Sequence, residues 1–186
     1  MIPPFSKCIQ TLGSLDWLDH LRGIKRGLEK ESLRVDKKGN LSTTAHPIGL
    51  GSSLTHPFIT TDYSEALLEF ITPPLSDIEE TLLTLDEIHQ YTYHVLKDEL
   101  LWASSMPCKL PVEEKIPIAN YGQSNLGILK HVYRRGLGHR YGRIMQTIAG
   151  VHYNFSLPNS FWMQYKDFSR SNQSDIEFIS EQYLAS

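Results

Sequence analysis

"RGLEKESLRV", residues 26–35, alternates like a β-strand and carries two glutamates two positions apart. In an extended chain Glu29 and Glu31 point to one face with Leu33 and Val35, while Leu28, Lys30, Ser32 and Arg34 point to the other. Two residues of strand rise separate the bases of the two glutamates by roughly 6–7 Å. Like charges at that spacing repel, so the pattern has two readings. Either the glutamates pair with Lys or Arg on a neighbouring strand, because Glu is almost never buried unpaired, or a cation sits between them.

Two further strand candidates extend the choice. "EALLEFITP", stopped by Pro73 and Pro74, places Glu69 between Leu68 and Phe70, where a solvated position is unnatural; Asp62 lies just upstream in "TTDYSEALLEF". "MQTIAGVHYNFSLP" alternates over a long stretch. Thr147, Ala149, Val151, Tyr153, Phe155 and Leu157 share one face, expected in the core. Gln146, Ile148, Gly150, His152, Asn154 and Ser156 share the other, expected to line a site. A lone His152 reads more often as a hydrogen-bonded structural histidine than as a ligand. Carboxylates and an imidazole converging on one sheet face would repel strongly without a cation, and Mg²⁺ takes a few carboxylates plus substrate phosphates.

Helices fill the remainder. A weak amphipathic helix is expected over 6–20, with Ile9, Leu12, Leu15 and Leu18. "DKKGN" at 36–40 reads as a turn and 41–61 as loop. Ser76 with Glu79 is a capping box, opening a helix over about 77–99 with Ile78, Leu82, Leu85, Ile88 and Val95. Residues 102–123 read as irregular, and 124–137 as a helix carrying Leu126, Leu129, Val132 and Tyr133. Ser174 and Glu177 form a second capping box before Ile176, Ile179 and Tyr183, and no stop signal follows. That last helix is expected to have nothing after it to pack against, and to fray over 175–186.

Bulk properties exclude several classes. With 186 residues, 40% hydrophobic and 21% charged, the chain reads as ordinary globular protein able to bury a core. A net charge of −3 gives no global argument for nucleic acid or a membrane surface. Cys8 and Cys108 make no disulfide framework and suit a reducing, cytoplasmic setting. No signal peptide and no membrane helix is expected. "GQSNLG" at 122–127 has the glycine spacing of a phosphate-binding loop without its Lys-Ser/Thr, and no dinucleotide fingerprint, zinc-protease motif or paired C-x-x-C occurs. The basic group Lys130, His131, Arg134, Arg135, His139, Arg140 and Arg143 lacks a stacking platform for nucleic acid. It reads either as a grip for a small anionic substrate or as a solvated helix face.

"GIKRGLEKESLRVDKKGNLSTTAHP", "LTHPFITTDYSEALLEFITP", "SMPC", "YGQSNLG", "YRRGLGHRYG" and "MQTIAGVHYNFSLP" together resemble the proteobacterial class of glutamate–cysteine ligase, collinearly over about residues 1–165. The resemblance implies an α+β fold: a curved antiparallel sheet of the glutamine-synthetase-like type with flanking helices, here incomplete at the C-terminus. It implies ATP-dependent joining of the γ-carboxyl of L-glutamate to L-cysteine through a γ-glutamyl phosphate, the first step of glutathione synthesis. The matching metal positions are Glu29, Glu31, Asp62, Glu69 and His152, holding Mg²⁺, with Mn²⁺ as an alternative. Tyr133 and Ile148 match the cysteine pocket, and Arg134 matches an arginine near the substrates. No nucleic acid or membrane partner is implied, and the full-length enzyme is expected to be a monomer. Members of that class are well over twice as long, so residues 1–186 are expected to be the N-terminal part of a longer catalytic domain, a fragment or a truncated product, inactive alone. The alternatives are another carboxylate–amine ligase on the same sheet, or a non-catalytic metal-binding remnant.

Overall fold

A computed structural model of the chain describes residues 5–13 and 15–185. Two compact units result: Met1–Arg26, Pro74–Asp77 and Phe155–Ser186 form one, and Gly27–Pro73 with Ile78–Asn154 the other.

The second unit is built on β1 (Lys25–Val35), the strand expected from alternation. β2 (Ile59–Thr61) and β3 (Leu67–Ile71) form an antiparallel hairpin, and β3 pairs antiparallel with β1, setting Glu31 opposite Glu69 and Ser32 opposite Leu68. After helix α3 (Ile78–Leu96), the short β4 (Leu100–Leu101) pairs with the end of β1. β5 (Val151–Ser156) also pairs with β1. The five strands make a mixed helix-and-sheet architecture with an open antiparallel sheet.

Cross-strand neighbours lie on the same side of a sheet, so the register separates its faces. Leu33 and Leu67 join Val35, Leu41, Ala66, Cys108, Ile116 and Ala149 in one core; next along the same face come Glu31 and Glu69. Leu68 and Phe70 lie on the opposite face with Leu50, Ile59 and Ile88 of α3. Lys30 shares that second face, where its Nζ donates to Ser32 Oγ (2.7 Å) and lies 3.2 Å from His89 Nε2.

Arg34 is the largest fully buried side chain. Its guanidinium donates to Glu99 (2.6 Å), to Thr44 Oγ1 (2.8 Å) and to the carbonyls of Thr44 (2.9 Å), Ala45 (3.2 Å) and Glu65 (3.0 Å). It thereby ties β1 to the 42–45 loop, the β2–β3 turn and the approach to β4. Ser42 and Thr44 also donate to the Glu99 carboxylate.

Several expectations change. β2 lies inside the stretch read as loop, and β4 inside no expected element; both are too short for a period to show. The single helix over 6–20 is two, α1 (Phe5–Leu12) and α2 (Leu15–Leu21), with the poor helix former Gly13 between them. The side chains of Leu12, Leu15 and Cys8 lie outside the described residues, and Cys108 is a free buried thiol. On α3, Thr81, Ile88, Thr92 and Leu96 are buried, while Ile78 and Leu82 are exposed. Helix α4 (Asn125–Tyr141) is capped by Ser124 Oγ, which accepts from Gly127 N, but Leu126, Leu129, Val132 and Tyr133 are all exposed. The expected core face of β5 is split: Thr147 and Ala149 are buried, Val151, Tyr153 and Phe155 exposed.

In the other unit the helix α5 (Asn159–Ser169), not expected from the sequence, and α6 (Asp175–Ala185) pack with α2 around Trp17, Phe161, Trp162 and Phe178. The capping box holds: Ser174 Oγ donates to Glu177 (2.6 Å). The packing expectation for α6 is corrected. Phe178, one position beyond the capping glutamate, is 3% exposed, whereas Ile176 is 79% exposed. Tyr183 stacks near Trp162, centroids 5.0 Å apart.

Removing Glu99 leaves a fully buried guanidinium without its counter-charge. Glu99→Ala should therefore destabilise this unit by about 3–5 kcal/mol, read as a lower urea midpoint. Burial works against the Glu99 carboxylate, but the Ser42 hydrogen bond, the charge and hydrogen bond of Arg34, and Thr44 outweigh it and hold its pKa below the ordinary value. A depressed acid contributes stability that is complete above its unfolded pKa and is lost as pH falls through the folded one. The wild-type chain should lose this contribution below about pH 4.5, and Glu99→Ala should show a flatter acid limb.

Candidate functional site

β1, β3 and β5 carry the candidate ligands, and the β2–β3 turn presents Asp62. Glu31 and Glu69 face each other across adjacent strands. The Glu31 backbone N–H donates to Gly150 O (3.0 Å), and Gly150 N donates back to Glu31 Oε2 (2.7 Å). Asn154 Nδ2 donates to Glu29 Oε1 (2.8 Å). His152 lies between them, with Nδ1 3.6 Å from Glu29 Oε2 and Nε2 3.7 Å from Glu31 Oε1.

The salt-bridge reading of the E-x-E strand is not what the structure builds. The ion pairs described for Glu29 and Glu31 are both with His152, and the basic residues of β1 itself, Lys30 and Arg34, are engaged elsewhere. The carboxylates are instead left to repel one another. Burial pushes the Glu69 pKa up to about 7, with Asp62, Glu29 and Glu31 adding to the rise and His152 opposing it. Burial likewise raises Glu31, reinforced by Asp62 and Glu29 against the pull of the Gly150 N–H and His152. Glu31 and Glu69 thus each feel the charges of Asp62 and Glu29.

Such a donor set, hard oxygens with one imidazole, is the chemistry that Mg²⁺ or Mn²⁺ takes. Among the described residues no three His, Cys, Asp or Glu side chains already stand close enough to enclose an ion.

Arg134 of α4 reaches the same place from the side. Its Nε donates to the backbone carbonyl of Asp62, its Nη1 to Lys130 O (3.2 Å), and its guanidinium lies 4.7 Å over the Tyr121 ring. Tyr121 in turn donates to the carbonyls of Thr61 (2.6 Å) and Asp62 (2.9 Å). The sequence marked Arg134 but not Tyr121, which stands in "YGQSNLG" just before α4. Tyr133 and Ile148 are exposed, 63% and 41%, and share no hydrogen bond with the carboxylate cluster. Much of the basic group is structural: Lys130 also sits over Tyr121, His131 bonds Ala119 O (2.9 Å), and Arg143 donates to the carbonyls of Glu114 (3.0 Å) and Ile116 (2.9 Å).

Over residues 9–186 the sequence matches the glutamate-cysteine ligase family. It is 52% identical over 176 residues to the glutamate–cysteine ligase of Alcanivorax borkumensis, an overlap covering 95% of this chain and 34% of that protein. It is 57% identical over 166 residues to that of Hahella chejuensis, covering 89% and 32%. Among solved structures it superposes with a TM-score of 0.73 on a glutamate–cysteine ligase from Francisella tularensis in complex with AMP, at 41% identity, covering 80% of this chain and 30% of that one. A bifunctional glutathione synthetase from Pasteurella multocida gives a TM-score of 0.74 at 34% identity, with 89% and 21% covered. The chain belongs to the glutamate–cysteine ligase family, and it spans about a third of the length of the curated relatives it matches. No helix among the described residues is long and apolar enough to cross a membrane.

The raised pKa of Glu69 has a measurable sign. An acid whose folded pKa lies above its unfolded value destabilises the fold when ionised, so stability recovers as pH falls through the folded value. In EDTA, the thermal midpoint of the chain should rise between pH 8 and pH 5. Glu69→Gln, which removes charge at nearly constant volume, should raise the midpoint at pH 8 and flatten that slope. An unchanged slope in this variant would show that Glu69 is not the group responsible.

Proposed function

We propose that this chain is the N-terminal part of the catalytic domain of a cytoplasmic glutamate–cysteine ligase, on a sheet of the glutamine-synthetase-like type. The observation that carries the reading is the cluster of Glu29, Glu31, Asp62 and Glu69 with His152 on one sheet face, in a chain of this family. The exposed apolar stripe on α4 and the exposed residues of β5 are consistent with a domain whose remaining length covers them.

On this reading L-glutamate, L-cysteine and ATP meet over the open face of the sheet. ATP phosphorylates the γ-carboxylate, the cysteine amine attacks the resulting acyl phosphate, and phosphate leaves. Bound Mg²⁺, or Mn²⁺, held by Glu29, Glu31, Asp62, Glu69 and His152 would neutralise charge as the two anions approach and as the phosphoryl group transfers. The protein residues provide the frame: β1, β3 and β5 fix the carboxylates relative to one another, so that little reorganisation is needed when substrates bind. Arg134, anchored through Nε and Nη1 and stacked on Tyr121, presents its guanidinium beside Asp62, where an anionic substrate group would meet it. Tyr133 and Ile148 are assigned to the cysteine side of the site. The full-length enzyme is taken to be a monomer.

The direct test joins residues 1–186 to the remaining two-thirds of the Hahella relative in place of its own N-terminal third. A folded fusion, checked by circular dichroism, should form γ-glutamylcysteine from glutamate, cysteine and MgATP, and a folded but inactive fusion would refute the assignment. In that fusion Tyr133→Phe should raise the KM for cysteine more than those for glutamate or ATP, whereas equal changes would indicate a packing role. The isolated chain should give no measurable product and should bind ANS through its exposed apolar faces.

A further inference from the structure

β5 does more than contribute His152. Positions 150, 152 and 154 share one face of the strand, and each meets the E-x-E motif of β1. Gly150 holds Glu31 at two points: its N–H donates to Oε2 (2.7 Å) and its carbonyl accepts the Glu31 N–H (3.0 Å). Asn154 holds Glu29 through Oε1 (2.8 Å). Each glutamate thus has one oxygen tied to β5. The other two, Glu29 Oε2 and Glu31 Oε1, both turn toward His152, at 3.6 and 3.7 Å.

We propose that Gly150 and Asn154 are positioning residues that present Glu31 and Glu29 to the metal on either side of His152. The proposal rests on the metal reading of this cluster. A free glutamate side chain samples many rotamers, and a tether on one oxygen restricts where the other can point. The tethers are also neutral. A backbone N–H and a carboxamide hold carboxylates without adding a positive charge that would compete with the cation, as a lysine at position 154 would.

Gly150 is required for space. A Cβ added there would stand 2.9 Å from His152 Nε2 and 3.1 Å from Cδ2, so any side chain drives the imidazole from its place between the two carboxylates. The pattern G-x-H-x-N on β5 is therefore the complement of E-x-E on β1: two tethers flanking one ligand, facing two ligands.

The test measures Mn²⁺ affinity of the 186-residue chain by electron paramagnetic resonance of the free ion, with unfolding in EDTA measured in parallel. Asn154→Ala should weaken Mn²⁺ binding by about tenfold, the size expected when an outer-shell partner of a ligand is lost, and Gly150→Ala, which keeps both backbone tethers but crowds His152, should weaken it by a comparable factor through displacement of the imidazole. Asn154→Gln, which keeps the carboxamide donor, should retain most of the affinity; Asn154→Asp, which replaces the donor with another carboxylate, should not. The metal-free thermal midpoint should stay within about 2 °C of wild type for both alanine variants, which separates positioning from general packing. Wild-type binding with alanine variants within twofold of it would overturn the proposal and leave the metal reading standing. Absence of Mn²⁺ binding by the wild-type chain at millimolar ion would overturn both. A parallel loss of EDTA stability and affinity in both alanine variants would also overturn it, by making the two residues structural.

Discussion

The guanidinium of Arg34 has no exposure to solvent, and the elements that meet at it cannot separate without leaving a bare charge in the interior. Its hydrogen bonds run to the loop at 42–45, to the carbonyl of Glu65 in the β2–β3 turn and to Glu99 before β4. The same strand carries Glu29 and Glu31 on its other face. β1 is thus held through its cation on one side while its carboxylates stay open on the other. Because a strand slip of one residue exchanges the two faces, anchoring Arg34 also fixes which residues of β1 can meet Glu69 and His152. The Glu65 side chain adds a second lock on the β2–β3 turn, accepting from His46 N (3.0 Å) and Asn120 N (2.7 Å).

The sequence made β1, α3, α4 and α6 legible, but not the short strands β2 and β4 or the eleven-residue helix α5, which no capping signal marked. β1 runs for eleven residues of clear alternation, enough for a period of two to stand out, and it brought both glutamates to one face as read. β2 has three residues and β4 two; their strand state is imposed by pairing with a neighbour. Asp62 is marked by its place just upstream of Glu69 and by its match to a known motif, because nothing local says which way a turn side chain faces. The role of Arg34 was likewise hidden. An arginine alternating with Lys30 reads as a solvated face, and its burial depends on partners that lie 10 to 65 positions away in sequence.

The apolar stripes gave a different kind of error. Leu126, Leu129, Val132 and Tyr133 sit at helical spacing, and α4 does form, yet all four are exposed. Val151, Tyr153 and Phe155 alternate properly on β5 and are exposed too. A hydrophobic period records that a face is meant to be covered and carries no information on what covers it. On α6 the expected face held at Ile179, which packs on the aromatic core, and at Tyr183, which lies against Trp162, but failed at Ile176, which is exposed while Phe178 is buried. Phe178 is buried among Trp17, Phe161 and Trp162, where an aromatic ring carries a large apolar area into the core.

A carboxylate cluster without a cation needs some other way to lower its repulsion. Here the fold offers two, and both are partial. His152 stands between Glu29 and Glu31 at 3.6–3.7 Å, close enough to favour the charged form of Glu31 but longer than a hydrogen bond. Glu69, most strongly raised, reaches a pKa of about 7, so near neutral pH it carries a proton part of the time. That proton does electrostatically what a metal would do on the proposed reading, and a cation entering the cluster must displace it. Glu69 is half-buried on the face opposite Leu68 and Phe70, opposite Glu31 on the neighbouring strand. The carboxylate whose pKa the cluster raises most is the one that most requires a counter-charge, and this supports placing Glu69 at the centre of the proposed site.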